Sequence, residues 1–310
     1  MRIFVRRSLV VAAIALVVAA APAATEAAQR PHVLFGVYVH NTYGGTARRQ
    51  LLELERALGR RVGIDHVGFY AWSQRLPLRR MRRDLLHGRR PLLEWAQAPS
   101  SAILSGSQDA RIARAARALR RLRGRVLLEY AGEMDRLATS GSPRQFVRAW
   151  KHVRSIFAAA GAGNVRFVWC PTAFGFEQGT AWAYYPGAGA VDWVCADGYN
   201  WGSSRPNETW RSFRRVFAAF LQWARPTKKP ILIGEWASVR GRPGQRAAWI
   251  AAAAAAIKAD AQIRALSYFD SLGWDEATNQ PVDWRLNTER SAFRAFRAMA
   301  LDPYFGRMPR

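Results

Sequence analysis

The feature that most constrains this chain is a repeated alternation of short apolar, β-branched or aromatic runs with longer amphipathic stretches. The runs occupy residues 33–39, 66–71, 91–96, 125–131, 165–170, 192–196, 230–235 and 264–269. Between them apolar residues recur at helical spacing over 46–58, 107–122, 143–160, 208–224 and 243–259, with a closing helix over 288–300. A strand covered on both faces reads as a continuous apolar run, and a parallel neighbour needs a crossover connection, usually a helix. Eight such units in about 270 residues predict one closed (β/α)8 TIM barrel in a single domain, because unit count and size agree. An open doubly wound sheet would need a Gly-rich phosphate loop after the first strand. The only candidate, Asn41-Thr42-Tyr43-Gly44-Gly45-Thr46, lacks the spacing, so nucleotide binding is not expected.

Composition adds compartment and charge. Arg2, Arg6 and Arg7 precede an apolar run over 9–20 and the small residues Ala21-Pro22-Ala23, the layout of a secretory leader. That run is shorter than the roughly 20 residues a bilayer span requires. The expectation is a signal peptide over 1–28 and a secreted, extracellular barrel over 29–310, with no membrane span left after cleavage. The formal charge of +25 comes mostly from Arg, scattered at helix-like spacing as in Arg111, Arg114, Arg117, Arg120 and Arg121. With no basic tail and no nucleic-acid module, solvated basic faces suited to acidic surroundings are expected rather than a nucleic-acid partner. A monomer is expected. Cys170 and Cys195 allow one disulfide or two buried thiols. The five His are dispersed, the Cys spacing is not of zinc type, and no G-x-S-x-G elbow occurs, so neither metal, cofactor nor serine nucleophile is expected.

In barrels of this kind chemistry sits at the C-terminal strand ends. Glu133 follows the fourth apolar run and Glu235 ends the seventh. Cleavage of a glycosidic bond with retention uses two such carboxyls, one protonating the leaving oxygen and one attacking the anomeric carbon, about 5 Å apart. Strands four and seven face each other across the mouth. Taken singly, each Glu reads as readily as a cap or an ion-pair partner. Trp72, Trp95, Tyr199, Trp201, Trp236, Trp274 and Trp284 gather near strand ends, where flat rings suit the apolar faces of sugars. Trp169 and Trp193, inside strands, read as core, whereas Trp201 and Trp284 lie in loops and read as ligand contacts.

Several segments, in order, resemble glycoside hydrolase family 26, the β-mannanase-like family. They are Ser107-Gln108-Asp109; Val126-Leu127-Leu128 with Gly132-Glu133-Met134-Asp135; Tyr184-Tyr185-Pro186-Gly187 through Asp197-Gly198-Tyr199-Asn200-Trp201-Gly202; Lys229-Pro230-Ile231-Leu232-Ile233-Gly234-Glu235; and Asp283-Trp284-Arg285-Leu286. The resemblance runs from about Val33 to Phe305. It implies a retaining hydrolase of β-linked polysaccharide or oligosaccharide, with Glu133 as acid/base and Glu235 as nucleophile. Tyr199 would orient the nucleophile, and Asp197, Trp284 and Arg285 would bind sugar, with Trp201 and Trp95 beside them.

The departures fall at the fourth strand. Gly132 stands where the family commonly has His, Asp135 where it has Asn, and Glu129 where it has Arg. Strand alternation points Glu129 the same way as Glu133, adding a third carboxylate and removing a cation. Neighbouring carboxylates raise one another's pKa. The same residues therefore also fit a barrel that binds glycan without cleaving it.

Overall fold

The computed structural model describes residues 32–306, and the expected leader lies outside the described residues. Eight parallel strands form the barrel: β1 (Val33–His40), β2 (Ile64–Tyr70), β3 (Arg90–Trp95), β4 (Val126–Tyr130), β5 (Val165–Trp169), β6 (Trp193–Asn200), β7 (Ile231–Ser238) and β8 (Ile263–Asp275). Each pairs with the next, and β8 closes on β1 in a ladder from Leu34↔Ala265 to His40↔Ser271. The chain is a single (β/α)8 TIM barrel.

The helices α1 (Ala47–Leu58), α2 (Leu78–Leu86), α3 (Ser100–Leu104), α4 (Asp109–Arg120), α5 (Pro143–Ala159), α6 (Ala173–Glu177), α7 (Phe213–Ala224), α8 (Gln245–Lys258) and α9 (Arg290–Leu301) run between and after the strands. Their starts follow local chemistry. Thr46 and Ser212 cap α1 and α7 with their side-chain oxygens, and Ser142 with Gln145 forms a capping box ahead of Pro143 on α5. Such caps are worth about 1 kcal/mol each. The helices α2, α3 and α6 are additional to those read from periodicity. After β5 the crossover contains only the five-residue α6 and short 3-10 turns.

Alternation along the strands builds two cores. Outward residues such as Leu93, Tyr130, Phe167 and Trp236 pack under the helices with Trp150 and Phe296. Inward residues Leu34, Ile64, Leu92, Leu127, Val168, Leu232 and Ala265 plug the lumen. Cys170 and Cys195 are joined by a disulfide between neighbouring strands on this inner side. It leaves no room for a side chain on β7, where a Cβ at Gly234 would stand 2.4 Å from the Cys195 sulfur.

β8 outruns the barrel and folds back as a hairpin with β9 (Gln280–Asp283), pairing Leu272↔Asp283 through Asp275↔Gln280. The short β10 (Phe305–Gly306) lies parallel to the start of β1. Neither was expected from the apolar runs. Leu272 and Trp274 do not form a continuous apolar run, and both remain exposed on the hairpin.

Candidate active site

On β3, Leu92 and Glu94 face the lumen while Leu93 and Trp95 face the helices; on β4, Leu127 and Glu129 face in while Leu128 and Tyr130 face out. This parity corrects the expectation for Trp95. It is 1% exposed, stacks on Trp72 with ring centroids 4.4 Å apart, and is packing material beneath that residue. Its neighbour Glu94, which the sequence reading passed over, takes the place at the mouth. The signal was available, because Glu94 and Glu129 are register partners and obey the same alternation.

Gly132 sits against these two carboxyls. A Cβ there would stand 2.5 Å from Glu129 Oε1 and 3.0 Å from Glu94 Oε1, so the glycine makes room for both acids. The departures at 129 and 132 are thus one steric unit.

Beyond β4 the chain turns through Ala131 and Glu133, whose φ angles of 54° and 52° are left-handed. For non-glycine residues this costs about 1–3 kcal/mol each and persists only where neighbours hold it. The Ala131 N–H donates to the Trp95 carbonyl at 2.9 Å, and the Glu133 N–H donates to the Cys170 carbonyl at 2.8 Å. Asp135 accepts from the Thr172 N–H at 3.0 Å and from the Thr172 hydroxyl at 2.5 Å, tying this turn to the loop after β5. The half-buried Glu133 carboxylate accepts from Arg136 at 3.0 Å, and Arg136 also reaches Glu276 on the β8–β9 hairpin at 3.4 Å. A cation missing at 129 is therefore supplied at 136, for Glu133 only.

Glu235 reaches the lumen through an irregularity. The pairing of β7 with β6 jumps from Ala196↔Ile233 to Asp197↔Glu235, and with β8 from Ile233↔Leu266 to Trp236↔Tyr268. The extra residue at this shift re-aims the following side chain, a common device beside active sites. The Tyr199 hydroxyl donates to Glu235 Oε2, and Glu235 Oε1 has no hydrogen-bond partner. The His66 Nδ1 lies 4.0 Å from Glu235 Oε1, the separation of an ion pair. Burial pulls the imidazole down to about 3, so it is neutral at physiological pH and the contact is not one between charges.

Burial dominates the electrostatics of the mouth. It pushes Glu235 up to about 8, against the Tyr199 hydrogen bond and assisted by the charge of Glu133. Burial also raises Glu133, while Arg136 pulls it back. Glu94, Glu129 and Asp197 are raised well above the usual carboxylate range, first by burial and then by one another and the catalytic candidates. Both Glu129 oxygens are buried without partners. A buried carboxylate lacking donors is costly, so burial favours the protonated form of these groups.

The other expected contacts divide. Asp197, 4% exposed, is level with Glu235 on the neighbouring strand and 3.3 Å from the Cys170 sulfur. Tyr199 packs on Trp201 and Trp284 with centroids 5.7 and 4.9 Å away. Trp284 is 3% exposed, and its carbonyl is held by the buried Arg246 and the Tyr268 hydroxyl. Trp201 carries the Arg205 guanidinium 3.2 Å above its ring, with Arg205 fixed bidentately by Asp275. Arg285 binds Asp283 at 2.8 Å and the Asn41 carbonyl at 3.3 Å, and so does not neutralise the mouth carboxylates. Tyr38 and Phe69, missed in the sequence, pack at a tilt against His66, and Phe269 stacks on Tyr38. Ligand atoms of His66, Glu94 and Glu235 lie within 4.8 Å of one another, the grouping here with metal-ligand chemistry. Glu129 stands equally near Cys170 and Cys195, but their sulfurs are bonded to each other.

A (β/α)8 barrel with a cluster of buried carboxyls and flanking aromatics at its mouth is the architecture in which the likenesses then fall. A GH26 β-mannanase from Bacteroides ovatus superposes with a TM-score of 0.63 at 15% identity, covering 91% of this chain and 92% of the other. A Bacillus subtilis mannanase matches with a TM-score of 0.60 at 15% identity over 91% and 88%. A GH26 protein from Muricauda sp. matches with a TM-score of 0.62 at 12% identity over 90% and 87%. In sequence the chain is 29% identical over 278 residues to Endoglucanase H of Acetivibrio thermocellus, covering 84% of this chain and 30% of that protein. The chain thus spans under a third of that relative's length. No family model matches it.

Proposed function

We propose that this protein is a secreted, retaining glycoside hydrolase of the family 26 kind, acting on a β-linked polysaccharide such as β-mannan or a related β-glycan. The observation that carries the reading is Glu235, swung into the lumen by the β7 irregularity, held by the Tyr199 hydroxyl, and facing the strained, Arg136-paired Glu133. The likenesses to mannanases and to an endoglucanase support it.

In this reading Glu133, whose hold on a proton burial strengthens, gives a proton to the glycosidic oxygen as the bond to the anomeric carbon breaks. Glu235 forms a bond to that carbon, and the Tyr199 hydrogen bond favours its charged form. Glu133 then takes a proton from water, the water oxygen attacks the anomeric carbon, and Glu235 leaves. Trp201, partly exposed, flanks the path of the sugar, with the buried Trp284 packed behind it and Tyr199.

A specific observation favours a second reading, a barrel that binds glycan without turnover: Glu94 and Glu129 crowd Gly132 with no cation between them. Reducing-end release from mannan, galactomannan, β-1,3-xylan, β-1,4-xylan and mixed-linkage glucan decides. Release from one glycan that is lost in both Glu133→Ala and Glu235→Ala establishes the hydrolase; affinity with no release from folded protein establishes the binder.

A further inference from the structure

The opposite end of the barrel carries a second feature. Where the strands begin, a cavity of about 670 Å³ opens between α2, β3 and β4. A second of about 380 Å³ opens below β6, β7 and β8. Arg90 and Arg125, at the starts of β3 and β4, line both, so the two form one groove across the pole. Arg82, Arg121 and Arg123 flank its first half; Lys228, Lys229 and Arg264 flank the second. Among the described residues no carboxylate lines either half.

This fold pairs arginines where it needs to. Within the groove's own lining Arg89 turns its guanidinium away to Glu55 at 2.7 Å, and nearby Arg80 holds Asp65 at 2.7 Å. The other eight of the nine groove cations, by contrast, make no ion pair among the described residues. Burial and the nearby Arg125 both push the Arg90 guanidinium downward, so like charges are held together at a cost to folding. The half-buried indole of Trp193 lines the second half of the groove, between Arg90 and Arg125 on one side and Lys229 and Arg264 on the other. A flat ring among guanidiniums matches a pyranose bearing a carboxylate, since Arg pairs with planar carboxylates bidentately and aromatic faces accept sugar rings.

We infer that this groove binds an acidic polysaccharide, a chain of uronate sugars, at the pole opposite the catalytic candidates. Arg90 and Arg125 would grip carboxylates midway and Trp193 would carry a ring. The surface would hold the protein against an acidic glycan matrix while the mouth faces outward. The inference does not depend on the mouth being catalytic.

Polygalacturonate binding to the purified protein, followed by affinity electrophoresis and calorimetry across salt concentrations, tests it. Expected are binding that weakens steeply with salt, a loss of tenfold or more in Arg90→Glu/Arg125→Glu, and a loss of severalfold in Trp193→Ala. Glu133→Ala/Glu235→Ala should bind polygalacturonate as the parent does, while circular dichroism confirms that each variant is folded. Unchanged polyuronate affinity in the folded charge-reversed protein would overturn the proposal. So would equal binding of neutral galactomannan at these residues, or tighter binding of duplex DNA or polyphosphate through Arg90 and Arg125.

Discussion

The two ends of this barrel are built from the same strands and carry opposite chemistry. At the C-terminal mouth Glu94, Glu129, Glu133, Asp197 and Glu235 converge with one half-exposed cation, Arg136, at their edge. At the N-terminal pole nine cations, of which only Arg89 is ion-paired, line a groove that holds no carboxylate among the described residues. Both ends concentrate like charge at a cost, but by different means. The mouth can relieve its repulsion by binding protons, because burial lifts every carboxyl there, while the Tyr199 hydrogen bond favours the ionised Glu235 that the nucleophile role requires. Arginine cannot release a proton at physiological pH, so the pole relieves its repulsion only through solvent, counterions or a partner. The mouth is therefore set by pH and the pole by salt.

The largest effect expected from breaking this contrast is at Glu235. Glu235→Ala should lower turnover by roughly 10⁴-fold or more with the fold intact, measured by reducing-end release beside circular dichroism.

Next comes the stability of the mouth as pH changes. Glu235 is lifted from 4.5 to about 8 and Asp270 from 3.8 to about 7 by burial, with Glu94, Glu129 and Asp197 also raised. A carboxyl raised in the folded state binds its proton more tightly there than in the unfolded chain. Its stabilisation is complete below the unfolded value, about 4 to 4.5, and is lost as pH rises through the folded one. The melting temperature should therefore fall between pH 5 and pH 9, by about 2–4 °C for each kcal/mol lost. Glu129→Gln should flatten that fall, and an unchanged slope would remove Glu129 from the cause.

Gly132→Ala should destabilise by about 1–3 kcal/mol, since its Cβ meets Glu129 and Glu94, and the loss should shrink in a Glu129→Ala background. Denaturant melts of the four proteins give the coupling.

Smaller shifts are expected in the pH–rate profile. Tyr199→Phe removes a hydrogen bond that favours ionised Glu235, so the acid limb should move to higher pH. Arg136→Ala removes a cation that lowers Glu133, so the basic limb should move upward, and only slightly because Arg136 is half-exposed. The smallest effect closes the comparison: Arg90→Glu/Arg125→Glu should leave turnover of a neutral glycan unchanged.

Much of this was legible in the sequence. Eight apolar runs marked eight strands, because a parallel strand covered on both faces cannot be polar in its middle. Glu133 and Glu235 stood out as polar residues ending such runs, and Tyr199 lay in a segment specific enough to align. What escaped did so for identifiable reasons. Trp95 ends an apolar run as the mouth residues do, yet the parity that carries Glu129 inward sends Glu94 inward and Trp95 outward. Glu235 follows Gly234 on its strand and would point away under strict alternation; the register shift that turns it in leaves no periodic trace. The β8–β9 hairpin is held by backbone pairing between residues that read as loop. Arg90, Arg125 and Arg264 are far apart along the chain and meet only because strand starts share one pole, so their groove has no local signature.

The most direct test of the central claim is covalent trapping. Incubation with activated 2-deoxy-2-fluoro glycosides of mannose, glucose and xylose slows release of a glycosyl-enzyme, and intact-mass and peptide mass spectrometry then locate any adduct. The account predicts one glycosyl unit on the peptide containing Glu235, absent in Glu235→Ala. An adduct on Glu94, Glu129 or Glu133 instead, or no adduct from any sugar, would contradict it.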